Sequence, residues 1–355
     1  MPDVENAVVE GFDPTIFANV FQLSTKRETG VTTAFFFAFN TTVTLMALAP
    51  EERCAAVFKE VKEKCKRYER LFSRHIPESD IARLNTAQGD EVEIDAETCE
   101  LLQASRHYCA MSGGAFDMSV GPALQLWDFA RGVIPEAPKL AHSVSHIDWR
   151  MVQVRSEAAE VGEPADRGLI SHALTGEGAC PHARSPRCYA RLADPEGAVD
   201  MGGIAKGYIA DKLAEHLDAC SMKSYVINLG GNVVVRGRRP DGRHWKVGIQ
   251  DPSRVLPALR TIDVVDASAV TSGTYERSFT KNGILYHHIL NPKTGYPVDT
   301  DVAGVTVVAA RSLDAEGYST TLLALGAEKG LSFARERDEI LAAYFVDKQG
   351  VVTEA

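Results

Sequence analysis

No stretch of this 355-residue chain approaches the roughly 20 consecutive apolar residues that a membrane helix needs. The most apolar short run, Phe35 to Phe37, is followed closely by Asn40 and a row of threonines. No basic block appears either, and the formal net charge is -10, which argues against a general affinity for nucleic acid or an anionic membrane. The opening "MPDVENAVVEGFDPTIFANV" lacks the basic and apolar regions of a secretory signal, so a cytoplasmic protein is expected. Cysteine is scarce and odd in number; the seven residues fall mostly on apolar helical positions and read as reduced thiols. No internal repeat is evident. What remains is an ordinary globular composition, 45% hydrophobic and 24% charged, able to bury a sizeable core.

Val31 to Leu48, rich in Phe, Thr and Val, predicts strand. After Pro50, the residues Cys54, Val57, Phe58, Val61, Cys65, Tyr68 and Phe72 fall at three- and four-residue spacing and predict a helix. Further helices are expected over 96–111, closed by Gly113 and Gly114, over 204–220, and from about 313 to 330. "SYVINLGGNVVVRG" and "HWKVGIQDP" read as two strands and "AAYFV" as a closing one. Strands and helices mix without regular alternation, so the fold class is α+β. Residues 1–30 read as a variable extension, 31–345 as the folded domain and 346–355 as a tail. Within the domain, 156–196 is aperiodic and rich in Gly, Pro, Ser and Ala, and reads as a surface insertion. Its Cys180, His182 and Cys188 match no standard zinc spacing.

"VDMGGIAKGY", residues 199–208, sets Asp200, a glycine pair and Lys206 at the mouth of a helix. The first turn of a helix leaves N–H donors unpaired and suits a phosphate, and glycine lets backbone approach a ligand or metal. Alone, this is equally a tight turn with a solvated lysine. It has company, however. "GGAFDMSVGP" (113–122) carries Asp117, "VTSGTYER" (270–277) carries a hydroxyl-Gly turn, and "YHHILNPKTGYPV" (286–298) carries paired histidines before a turn.

In this combination and order, with "SRHIPESDIARLN", "INLGGN" and "STTLLALG", the sequence resembles the ApbE family, the FAD:protein FMN transferases, from about Val31 to Tyr344. The resemblance implies two interlocked α/β lobes with FAD bound between them beside a magnesium ion. It implies transfer of FMN from FAD to a Thr or Ser hydroxyl of an acceptor flavoprotein carrying a Ser/Thr-Gly-Ala-Thr-like motif, with release of AMP. Magnesium suits such chemistry because it neutralises phosphoryl charge and takes few protein oxygens.

By the same resemblance, Gly203 offers the metal its backbone carbonyl, and the family's Asp-x-x-x-Thr element supplies side-chain ligands. Here that element reads "EGYST", with Glu316 in place of Asp and Thr320 retained; Asp314 is a possible substitute ligand. FAD contacts are implied for Ala115, Phe116, Asp117, Asp200, Lys206 and Ile289, together with Thr271, Ser272 and Gly273. Phe39 stands where a Met is usual and His75 where a Tyr often lies, and both are flat rings able to stack on the flavin or adenine. Thr274 replaces a frequent Asp. The base for the acceptor hydroxyl is His288 or Asp117, and His has the more suitable intrinsic pKa. An FAD pyrophosphatase and a non-catalytic FAD-binding protein are the alternative readings.

Overall fold

A computed structural model describes residues 20–157 and 187–355. The chain opens with strands β1 (Phe21–Lys26), β2 (Val31–Ala38) and β3 (Thr41–Leu48), then helices α1 (Glu51–Phe72) and α2 (Asp80–Thr86), strand β4 (Val92–Ile94) and helix α3 (Ala96–Met111). Short helices α4 (Gly121–Leu124) and α5 (Ala137–Val144) lead to β5 (Val152–Glu157) and β6 (Arg187–Leu192), then to helix α6 (Ala205–Ala219). Strands β7 (Tyr225–Leu229), β8 (Asn232–Arg236), β9 (Trp245–Ile249), β10 (Arg260–Val264), β11 (Ser268–Gly273), β12 (Ser278–Lys281), β13 (Ile284–His287) and β14 (Val302–Ala309) follow. Helix α7 (Ser312–Arg335) and strands β15 (Ile340–Asp347) and β16 (Val352–Glu354) complete the chain.

Nine strands form one antiparallel sheet in the order β1-β2-β3-β7-β8-β11-β14-β15-β16. The α+β class holds. Helix α1 buries all seven residues of its predicted stripe, so its cysteines 54 and 65 are core residues. Helices α1, α6 and α7 cover one face of the sheet, and the β9–β10 hairpin covers part of the other, where Trp245, Ile249, Ile262 and Val264 meet Val235, Ala269 and Val308. That double cover explains β14, buried at every position and apolar but for Thr306: Val305 and Val307 join the helix-side core, and Val308 joins the hairpin side. A second, small sheet, β4-β6-β5, packs on α3, while Trp127, Leu140 and Leu290 centre a satellite cluster.

Several boundaries differ from expectation. Residues 31–48 are not one strand but the hairpin β2–β3, turned at Phe39 and Asn40 with φ of 55° and 56°. "SYVINLGGNVVVRG" is likewise a hairpin, β7–β8, turned at its glycine pair. Parts of the expected extension and tail belong to the main sheet, as β1 and β16. Of the expected insertion, 158–186, with Cys180 and His182, lies outside the described residues; its flanks are the paired strands β5 and β6, and Cys188 is buried. Helix α7 breaks at Gly326, which is not helical; Asp301 accepts the Ala327 N–H just beyond the break, at 2.9 Å. No helix among the described residues is long and apolar enough to cross a membrane.

Candidate functional site

The site is built where α6 crosses α7. A Cβ on Gly207 would stand 2.7 Å from the Ser312 carbonyl oxygen and 2.8 Å from the Leu313 Cα, so only glycine allows this approach. One turn later, Asp211 caps α7 by accepting the Ser312 and Leu313 N–H groups at 2.7 and 3.0 Å. These two contacts fix the crossing and bring Lys206, in the first turn of α6, to Glu316, in the second turn of α7. Lys206 Nζ lies 2.6 Å from Glu316 Oε1. The carboxylate is nearly buried, with a side chain 4% exposed against 26% for the lysine. Its other oxygen accepts from Asn232 Nδ2 at 2.9 Å, and Asn232 Oδ1 accepts from Ser312 Oγ at 2.8 Å. The buried charge is thus both paired and hydrogen-bonded, as burial requires.

Thr320 stands one turn along the same face as Glu316. Its hydroxyl is 3.2 Å from Ser272 Oγ, which also meets Ser319 Oγ at 2.9 Å. Gly203 faces this group: an added Cβ would lie 3.9 Å from Thr320 Oγ1 and 3.2 Å from the Phe116 ring. Phe116 is held there because the 113–122 segment is laced to 198–203. Asp200 N–H donates to the Met118 carbonyl at 2.8 Å, and Val120 bridges to Ala198. Gly203, Phe116, Ser272, Glu316, Lys206 and Thr320 are therefore one cluster drawn from four segments.

Asp200 turns the chain by accepting the Gly202 N–H at 2.8 Å and pairs through Oδ2 with Arg74 Nε at 3.0 Å. His75, exposed beside Arg74, has its pKa lowered by partial desolvation and by the Arg74 and Arg277 charges. Ala115 lies in the turn closing α3, its N–H on the Ser112 carbonyl. Asp117 Oδ1 accepts from Ser119 N–H at 2.8 Å and Ser119 Oγ at 2.7 Å, and burial raises its carboxyl pKa against those bonds. It borders a cleft of about 540 Å³ shared with Gly113, Gly114, Trp149 and Lys293. Thr271 Oγ1 meets Thr306 Oγ1 at 2.8 Å, and Gly273 has the Tyr275 ring packed on it. Ile289 packs at the edge of the main core. Phe39 sits in the β2–β3 turn, its N–H on Glu69 Oε1 at 2.8 Å.

His288 is held neutral. Burial, reinforced by the Arg277, His287 and Lys206 charges, pushes its pKa down to about 3. Its Nδ1 is buried without a hydrogen-bond partner. Asp314 does not join the Glu316 face; it accepts from the Tyr108 hydroxyl and lies near Arg311. Thr274, in place of the acid, donates its hydroxyl to the Ala303 carbonyl at 3.2 Å. Two participants were not singled out from the sequence. Asn232 reads there as a polar residue opening a strand, and Arg74 as one of many surface charges; both lie inside quoted motifs, the only signal they carry.

The ApbE family model matches residues 39–345. The chain is 33% identical to an FAD:protein FMN transferase of Treponema pallidum, over 84% of this chain and 80% of that one. It is 31% identical to an FAD:protein FMN transferase of Klebsiella pneumoniae, over 84% of each. Among solved structures it is similar to the apo form of the flavinyl transferase ApbE of Pseudomonas stutzeri, with a TM-score of 0.72, 26% identity, and coverage of 94% of this chain and 95% of that one.

Proposed function

The chain belongs to the ApbE family, and we propose that it is a magnesium-dependent FAD:protein FMN transferase. The observation that carries this reading is the α6–α7 crossing, where a lysine, a buried carboxylate and a row of hydroxyls converge at a helix N-terminus. Although the chain is acidic overall, Arg277 stands here beside Lys206 and Arg74, each paired with one carboxylate, and these cationic donors suit a pyrophosphate. Phe116 offers a ring beside Gly203, and Phe39 and His75 offer two more flat surfaces for the flavin and adenine. Asp117, its Oδ1 committed to Ser119, acts in positioning FAD rather than as the base.

The donor set at the crossing fits magnesium, a hard cation that takes oxygen ligands. Glu316 keeps free lone pairs beyond those given to Lys206 and Asn232, and Thr320 Oγ1 and the Gly203 carbonyl complete the protein's share. Bound there, the ion supplies neutralisation of charge on the phosphoryl oxygens. Lys206 and the first-turn amides of α6 hold the pyrophosphate in line with the incoming hydroxyl. His288, neutral and unpartnered at Nδ1, accepts the proton of the acceptor Thr or Ser as its oxygen bonds to the FMN phosphorus. The bond from that phosphorus to the bridging oxygen breaks, and AMP departs with the electron pair. Binding the anion beside Lys206 and Arg277 offsets the charges that depress His288 and so raises its basicity. The acceptor is a flavoprotein with a Ser/Thr-Gly-Ala-Thr-like segment, and both proteins are expected in the cytoplasm.

The test is incubation with FAD, magnesium and a protein bearing that acceptor segment. A flavin-labelled acceptor with matching AMP is expected. Free FMN and AMP without label would make the protein a pyrophosphatase, and FAD returned unchanged would leave only binding.

A further inference from the structure

Away from the flavin cluster, α5 and the turn after β6 bring two histidines and two carboxylates together. His142 and His146 are four residues apart, so both rings project from one side of the helical turn, 4.8 Å between centroids. Glu196 Oε2 lies 3.0 Å from His142 Nε2 and 3.7 Å from His146 Nε2. Asp194 Oδ2 accepts from His146 Nδ1 at 2.8 Å, while Asp194 Oδ1 accepts the Glu196 N–H at 2.9 Å. One carboxylate thus orients the imidazole and shapes the turn that presents the other.

We propose that His142, His146 and Glu196 bind a zinc-class divalent cation, with a fourth position open to water. Asp194 fixes the His146 tautomer with its proton on Nδ1, which leaves the Nε2 lone pair directed at a carboxylate oxygen. That Nε2 is buried and has no hydrogen-bond partner. That arrangement is repulsive unless a proton or a metal ion stands between them, and only a metal ion joins the His142 nitrogen to the same centre. The spacing suits one: zinc–nitrogen and zinc–oxygen bonds of about 2.0–2.2 Å put tetrahedral ligand atoms about 3.3 Å apart. All three donor atoms lie within 4.8 Å of one another, so small rotamer changes suffice. Carboxylate, histidine and metal in a row is also how proteins raise the basicity of a ligating imidazole. Imidazole nitrogen selects zinc-class ions over magnesium, so this site does not compete with the oxygen set at Glu316. Its place gives it a use: Val144 and Ile147 beside these histidines line the cleft bordered by Asp117, and a bound ion ties that wall to the β6 side.

The experiment uses the full chain, stripped with chelator and returned to a magnesium-containing buffer, then titrated with Zn²⁺ by calorimetry and thermal melting. One equivalent should bind at pH 7.5, and zinc at about 100 times its Kd should lower the unfolding constant roughly 100-fold. His142→Asn, at an exposed side chain whose replacement leaves the fold intact, and His146→Ala should each abolish that response. Asp194→Asn should weaken binding about 10- to 100-fold, as expected for a supporting partner. Co²⁺ in place of zinc should give a visible spectrum without a thiolate charge-transfer band. A second cluster, Glu60, His216 and Cys220, serves as the control, and Cys220→Ser should change nothing. The proposal is overturned by an absent zinc response, by one that survives His142→Asn, or by a thiolate band lost in Cys220→Ser.

Discussion

The two layers flanking the nine-stranded sheet solve different problems. The β9–β10 side is apolar: Ile249, Val264, Val235 and Val308 pack in one hydrophobic cluster, and the layer is held by area removed from water. On the helix side, an equally apolar core is interrupted at the α6–α7 crossing by Lys206, Glu316, Asn232 and Ser312. Burying such groups costs free energy unless every one is partnered, and here they are partnered with one another. The contrast separates what keeps the sheet folded from what gives it chemistry. Strand β11 runs between the two regimes, with Ala269 on the β9–β10 side and Ser272 at the hydroxyl cluster.

The sharpest way to break this division is Glu316→Ala. It strands the Lys206 ammonium and the Asn232 amide, and FMN transfer should be abolished, with excess magnesium restoring little. Glu316→Asp keeps the charge with a shorter reach and should retain transfer; acceptor labelling measures both. Next, His288→Ala should slow transfer about 10²–10⁴-fold, the scale of a lost general base, with FAD affinity within a few-fold of the parent. Normal transfer in that variant would hand the proton to another group.

On the β9–β10 side the expectation reverses. Ile249→Ala should cost about 2–5 kcal/mol of unfolding free energy in denaturant melts while leaving transfer by the folded protein unchanged. The last expectation is pH-dependent. Burial pushes His287 to about 4 and His288 to about 3, below the 6.5 of a free imidazole. The unfolded chain therefore binds more protons between these values, and the histidines' contribution, complete above pH 6.5, is lost as pH falls through the folded pKa values. Melting temperature should decline from pH 6.5 to 4, less steeply in His287→Asn. An unchanged slope would assign acid sensitivity to the carboxylates.

The same division explains what was legible from sequence. Helix α1 announced itself because its stripe from Cys54 to Phe72 follows one period. The β2–β3 turn was hidden, since Phe39 carries no turn signal and only Asn40 favours a positive φ. Motif residues could be singled out, yet their partnerships could not. Lys206 and Glu316 are 110 positions apart, and Asn232 reaches Glu316 across 84. A single sequence encodes local period well and distant pairing hardly at all. Gly207 and Asp211, which fix the crossing, carry no local signal of their partners on α7.

The junction of β3 with β7 bears on how the protein is made. Val43 pairs with Leu229, so α1 to α6 and the small sheet are complete in sequence before the main sheet can close around them. Such long closures are entropically costly, and high contact order slows folding. The proposed flavin cluster straddles that seam, with Phe116, Gly203 and Lys206 before it and Ser272, His288 and Glu316 after. A fragment ending short of β7 carries only the first three of these residues. On the ribosome, the capacity to bind flavin should arrive all at once, after α7 has emerged.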